Sequence, residues 1–483
     1  MATSGNSNFI SKNRKKLVGL IVGILIPIVF STFPTPEPLT PQGWLALGLL
    51  LGAVTMIICT TLRDYQAMIA MCCMLVITNT APLTTVFAPF GQSAWWMMFG
   101  ALGIGVAAVE CGFMKRIAYF MLKVLPPTFR GQCLAYIASG AIISPIIPSS
   151  TAKGIIMAPI ARNTSDALGF KPHSKGAQGI FIIMFTAYVS FALTFLSGSA
   201  VNISIVGALP EAFRVTWTEW FITLLPWGVL STALMVLVVF KFYGLKKKDL
   251  KNLKVDEQSG KLSKQQVSDE LKKMGPMSIK EKITLVVMLA ALACWIFEAQ
   301  IGVSATVIAL FAFIILFATG VAAPDKIKNV GWEALFFVGA FLCLPVVFSQ
   351  VGLNAFISEM LGERVAPIMG NIYILVPFII ILTTLIRMVF VSLSGTAILV
   401  TTIFLPFTEM FGIHPFIIAV VSYTSTNTWN VSYQNTVTVA SLAANGPEWL
   451  TNRDILTGSF WYMITNFAAL MLCIPYWRML GMV

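Results

Sequence analysis

The chain has 483 residues, 57% of them hydrophobic and 11% charged, with a formal net charge of +12 and a mean hydropathy of +0.84. A soluble globular chain carries about 25% charged residues, and a large soluble core would need polar helix faces that are missing here, so the fold class is an all-α polytopic membrane protein. The basic excess does not indicate a nucleic-acid partner: between Lys241 and Lys282, 12 lysines stand against six acids with no aromatic residue after Tyr243, the pattern of a cytoplasmic loop obeying the positive-inside bias.

In chain order, a basic cluster (Lys12, Arg14, Lys15, Lys16) precedes an apolar run ending near Phe33, with no clear small-residue cleavage site. It reads as a signal anchor or first span rather than a removable signal peptide. A full crossing needs about 20 apolar residues. Candidates are 17–33, 43–61, 66–84, 94–112, 178–197 and 218–240, then 283–300, 303–321, 331–350, 416–437 and 458–477. That is about 11 transmembrane helices. The eight cysteines lie in or beside these runs without a CxxC pair, so they read as small buried hydrophobes. Neither a Walker loop nor a metal motif occurs, and no cofactor is expected.

Placing the N-terminal cluster inside puts Arg63, Lys115, Arg116, Lys123 and Arg130 inside as well. Residues 133–161 then decide the topology. As one crossing they would carry Arg162, Lys171, Lys175 and the Lys-rich loop to the wrong side. As a re-entrant hairpin they leave every basic cluster inside. Each arm has about 13 residues, and Pro145, Pro148, Ser149 and Ser150 make the tip. A second apolar stretch, 370–407, is broken at Ser392–Thr396 and reads as a hairpin entered from outside. The expected organisation is an N-terminal cytoplasmic segment with the first helix (1–40), a first repeat (41–240), a cytoplasmic linker (241–282) and a second repeat (283–483). Each repeat has five crossings and one hairpin. The odd count inverts the second relative to the first, as in many secondary transporters. The N-terminus is expected inside and the C-terminus outside, in a plasma (inner) membrane. Arg478 near the outer end is a mild objection.

The two hairpin tips look like one device built twice: Pro148-Ser149-Ser150-Thr151-Ala152-Lys153-Gly154 and Ser392-Leu393-Ser394-Gly395-Thr396-Ala397. A span broken by polar residues follows each tip. The first break is Ser197-Gly198-Ser199-Ala200-Val201-Asn202, and the second includes Ser425-Thr426-Asn427-Thr428-Trp429-Asn430. Lipid cannot satisfy broken backbone, so such breaks need a covering protein or a watery cavity. Half-helix N-termini with free N–H groups suit anions. Hydroxyls of Ser149, Ser150, Thr151, Ser199, Ser394, Thr396 and Thr428, the backbone at Gly395, and the amides of Asn202 and Asn430 are the candidate ligands. Any one of them could instead seal a helix–helix contact. Lys153 and Arg387 stand in apolar context, where a lone cation is expensive unless functional; snorkelling to the interface is the alternative for Lys153. Of the two histidines, His173 is expected in a loop and His414 at a span edge. The few acids (Glu110, Glu298, Glu333, Glu409) lie near span ends or after the second hairpin. A buried proton relay is therefore not expected.

At these residues the chain resembles the divalent anion/sodium symporter (DASS) family, whose members carry a Ser-Asn-Thr motif at each hairpin tip. The matching triplets are Ser149-Ser150-Thr151 and Ser394-Gly395-Thr396. The run around Lys153, with Pro159 beyond it, is more similar to the antiporter (dicarboxylate exchanger) branch. Both motif asparagines are replaced, by Ser150 and Gly395. Because those asparagines help form sodium sites in the symporters, sodium coupling is in doubt. The Asn-bearing turns match at Asn202 and Asn430, but Ala200-Val201 and Thr428-Trp429 replace their usual prolines. The resemblance implies a homodimer and an elevator mechanism. Spans one to four and seven to nine would form the scaffold, and the hairpins with spans five, six, ten and eleven the moving part. The expected activity is sodium-independent exchange of C4–C5 dicarboxylate anions (succinate, malate, 2-oxoglutarate). Rivals are a sodium-coupled symporter of the same fold, a channel, and a polytopic membrane transferase, for which no convincing catalytic set exists.

Overall fold

The computed structural model describes residues 4–244 and 257–483. The first part of the Lys-rich linker, 245–256, lies outside the described residues. All regular structure described is helical. Helix starts follow local chemistry. Thr40 accepts from the Gly43 N–H with Pro41 in the first turn, and Thr216–Glu219 and Ser278–Glu281 form reciprocal capping boxes.

Two halves of the chain present the same order of elements. The first has Pro41–Ile58, Asp64–Ile77 and Ser93–Glu110, then the amphipathic Phe113–Val124 and the arms Phe129–Ile143 and Ser150–Ala167. Its broken span runs from Lys175–Phe185 to Ala200–Ala208, and Trp217–Phe242 closes it. The second has Ile279–Ile296, Ala305–Ala318, Trp332–Phe341 with Leu344–Gln350, the connector Leu353–Met369, and the arms Ile372–Val389 and Leu393–Met410. Its broken span is Pro415–Thr426 and Thr436–Ala443, and Asn452–Met479 closes it. Helix Ser4–Thr32 precedes both and packs on Pro41–Ile58.

Both hairpins double back. The Tyr136 and Thr164 hydroxyls meet at 2.8 Å across the first break. The Phe378 and Phe404 rings lie 6.1 Å apart across the second. The second arm of the first hairpin runs on to Ala167, beyond the expected boundary at 161.

Among the described residues, eight helices are long and apolar enough to cross a membrane, and one of these, Ile372–Val389, is a hairpin arm. The expected span 66–84 stops as a helix at Ile77. Asn79 takes a left-handed backbone, φ 54°, and Pro82 follows, so the helix cannot continue. The expected span 331–350 pauses at Leu342–Cys343, just before Pro345. Two further helices, the amphipathic Phe113–Val124 and the connector Leu353–Met369, were not expected from apolar runs. Lys115, Arg116, Lys123, Glu359, Glu363 and Arg364 interrupt their apolarity. Each leads directly into a hairpin.

Close packing joins the halves. A Cβ at Gly100 would come within 2.9 Å of the Ala309 backbone, and one at Gly103 within 2.3 Å of the Phe313 ring. Helix Ser93–Glu110 therefore needs glycine to pack on Ala305–Ala318. Each half-helix packs on the hairpin of the other half: Thr436–Ala443 on Ser150–Ala167, and Ala200–Ala208 on Leu393–Met410. The closing helices meet through Trp227, whose indole N–H donates to Asn466 Oδ1 at 2.9 Å. The end of the linker is pinned by Arg116. Its guanidinium grips Glu281 at 2.6 and 3.1 Å and donates to the Gly275 carbonyl at 2.9 Å.

Candidate functional site

Four helices begin at one place. Ser149 caps the second arm of the first hairpin, accepting from Ala152 N–H at 3.2 Å, and Ser392 does the same in the second hairpin for Gly395 N–H at 3.1 Å. Ser199 caps the half-helix Ala200–Ala208 and Asn435 caps Thr436–Ala443. The first turns of all four line a cavity of about 1070 Å³, at Ser149–Ala152, Ser392–Ser394, Ser199–Val201 and Thr436–Val437. First-turn N–H groups have no partner within their own helix, and each N-terminus carries partial positive charge. The space among them is suited to an anion. Leu102, Val106, Phe337 and Val338 supply apolar wall. The cavity reaches the side of the molecule that carries Lys16, Arg63 and Glu333.

Of the residues singled out in the sequence, Ser149, Ser150, Thr151, Ser199 and Ser394 line this cavity. The others do not line it, and several hold its frame. Lys153 is 0% exposed, and its Nζ donates to the Gly198 carbonyl at 2.8 Å. Asn202 Nδ2 donates to the Phe195 carbonyl at 2.6 Å, while its Oδ1 has no partner. Thr396 Oγ1 turns back to the Ser392 carbonyl at 2.8 Å. A Cβ at Gly395 would stand 2.8 Å from the Phe390 ring and 3.0 Å from the Phe337 ring. Thr428 Oγ1 is buried without a partner. Asn430 accepts from Ser459 Oγ at 2.8 Å, and its N–H donates to Gln434 Oε1 at 2.6 Å. Arg387 is also 0% exposed. It donates to the carbonyls of Thr426 at 3.1 Å and Phe390 at 3.2 Å, and to those of Val391 and Gln434.

Sequence reasoning missed Tyr423 as a lining residue and left Asn427 and Ser392 out of the candidate set, though all three line the cavity. The available signal was spacing: Tyr423 and Asn427 are four residues apart and share a helix face. Asn427 is fixed from both sides. Its Nδ2 donates to Ser190 Oγ at 3.0 Å, and its Oδ1 accepts from Asn435 Nδ2 at 3.2 Å. Ser190 ends a π-helical turn, Thr186–Ser190, a local widening that recurs at functional sites.

The model of the sodium:sulfate symporter transmembrane region matches residues 14–483. The chain belongs to that family. The resemblance to divalent anion/sodium symporters therefore holds over nearly the whole sequence. Among curated relatives, the chain is 25% identical over 407 residues to the inner membrane protein YbhI of Escherichia coli, covering 81% of this chain and 83% of the relative. It is 26% identical over 361 residues to the putative malate transporter YflS of Bacillus subtilis, covering 73% of each. It is 25% identical over 387 residues to the L-tartrate/succinate antiporter of E. coli, covering 72% of this chain and 76% of the relative. Among solved structures, the Alcanivorax borkumensis YdaH transporter superposes with a TM-score of 0.56 at 13% identity, covering 97% of both chains. That likeness concerns the fold alone. YflS and the L-tartrate/succinate antiporter are named as transporters and YbhI as an inner membrane protein, in keeping with a multi-pass membrane protein of a transporter family.

Proposed function

We propose that this protein exchanges C4–C5 dicarboxylates across the membrane, independently of sodium. One observation carries the reading: each seam between a hairpin and its broken span encloses a fixed cation bound to backbone carbonyls. Lys153 reaches Gly198 in the first seam. Arg387 joins Val391 to Thr426 and Gln434 in the second. Buried backbone carbonyls suit a monovalent cation, and here side-chain cations bond them, one carbonyl at Lys153 and four at Arg387. The candidate ligands in direct reach of substrate are Ser149, Ser150, Thr151, Ser199, Ser394 and Asn427, with the four helix N-termini. Two N-terminal pairs from two halves fit a substrate with an anionic group at each end.

The fixed charges also favour exchange over net uptake. A moving domain that carries an unpaired Lys153 charge through a low-dielectric barrier faces a cost of several kcal/mol. A bound dianion offsets the Lys153 and Arg387 charges together, so the loaded domain returns and the empty one does not. The shared order of elements in the two halves is the basis for reading an inverted repeat. The hairpins, broken spans and closing helices would move as the elevator against the remaining helices, in a homodimer. In this reading the Lys16–Arg63 side is cytoplasmic and the cavity is open inward.

Substrate competition tests the class. Exchange of labelled succinate in sodium-free proteoliposomes should be inhibited by malate and 2-oxoglutarate, but not by acetate or by sulfate. Inhibition by sulfate alone would overturn the substrate assignment.

A further inference from the structure

The rim of the cavity is a second place where charge meets the substrate's path. Among the described residues lining it, Asp64, Glu110 and Glu333 are acidic and Lys16 and Arg63 are basic. Lys326 adds a third cation by bonding Glu110 at 3.0 Å. Three carboxylates are therefore balanced by three cations. Arg63 stands at the start of helix Asp64–Ile77 and Glu333 in the first turn of Trp332–Phe341, and the two are paired across the mouth. Their side chains are 67% and 63% exposed. A pair this exposed contributes little to folding, yet both residues line the cavity at its exposed end.

The geometry points to Arg63 and Glu333 as an entry filter for anions on this side only: Arg63 masks Glu333, which would otherwise repel an incoming dicarboxylate, and offers the carboxylate a first contact as the pair opens. The inference rests on the transport reading above and adds a residue-level control of entry. Rim charges act on association and its salt dependence more than on the bound state. When the hairpins present their site to the opposite side, this rim is out of the path, so the effect is one-sided.

The test measures KM for succinate exchange from each side, using right-side-out and everted membrane vesicles, at low and high ionic strength. Arg63→Gln leaves the rim one negative charge in excess and should raise KM from the rim side by about two- to tenfold at low salt. Glu333→Gln leaves one positive charge in excess and should lower that KM by a similar factor. The double variant should return near wild type. All shifts should shrink at high salt, where the screening length falls to about 3 Å near 1 M. KM from the opposite side is the internal control for folding and for the transport step. Two single variants that shift KM in the same direction would mark the pair as a structural brace and overturn the filter. Equal shifts from both sides, or shifts that persist at high salt, would overturn it too. Absence of wild-type succinate exchange would overturn the transport reading and the filter with it. Normal exchange with unshifted variants would overturn the filter alone.

Discussion

Lys153 and Gly198 are joined at 2.8 Å across the seam between the first hairpin and the broken span, and both are buried. Lys153 lies one turn into a hairpin arm whose cap, Ser149, lines the cavity. Its ammonium thus sits behind the substrate space, holding the loop that ends at Ser199.

Neutralising this cation should impair exchange. Lys153→Gln should reduce exchange at least ~10-fold, which corresponds to about 1.4 kcal/mol in the barrier. It should also gain a cation requirement or a leak into empty vesicles. Radiotracer flux with and without internal substrate reads both. Full exchange without leak in the variant would contradict the role given to Lys153.

Arg387 is bound more completely, by four backbone carbonyls. Arg387→Gln strands several buried acceptors, at ~1–3 kcal/mol each where they stay unsatisfied. The expected result is a melting temperature lower by several degrees, read by thermal unfolding in detergent. Lys at this position should rescue only partly, because an ammonium lacks the planar fork that reaches several carbonyls at once.

Restoring asparagine at Gly395 should not restore sodium coupling. The Phe390 and Phe337 rings occupy the space a side chain would need. Gly395→Asn should lower exchange in sodium and in choline alike, measured as uptake in matched buffers. A sodium-dependent gain would show that the rings yield and that a cation site can be rebuilt.

The Arg116–Glu281 junction gives the fold an acid-sensitive point. Burial alone pushes the Glu281 carboxyl up, but the Arg116 guanidinium and Ser278 outweigh it and hold it below its usual 4.5. Between the folded value and 4.5 the unfolded chain binds more protons. The stabilisation is therefore complete above about pH 4.5 and is lost as pH falls through the folded value. Melting temperature measured from pH 7 to pH 3 should drop more steeply for wild type than for Glu281→Gln. The variant should already be weaker at pH 7, since Arg116 then keeps a largely buried charge without its partner.

The breaks at 148–154 and 392–397 were legible because hydroxyl and small residues cannot be left facing lipid. The same logic marked Ser199 and the Ser425–Asn430 run. What each side chain does there was less legible. Lys153, Asn202 and Arg387 fit the pattern of anion ligands by residue type, yet they bond carbonyls behind the cavity. Spacing along a broken helix does not report which way a long side chain turns once the backbone leaves helical geometry. Tyr423 escaped notice because it reads as an ordinary apolar-face aromatic. The connectors Phe113–Val124 and Leu353–Met369 were illegible to a search for apolar runs, since charged residues interrupt both, and in Phe113–Val124 they fall on one face of an amphipathic helix.

The most direct test of the central claim is uptake of labelled succinate into proteoliposomes. The vesicles would be preloaded with unlabelled succinate or left empty, each with sodium or choline outside. The account predicts uptake into loaded vesicles only, at equal rates in sodium and choline. Sodium-dependent uptake into empty vesicles would contradict it and make the protein a symporter despite its fixed cations.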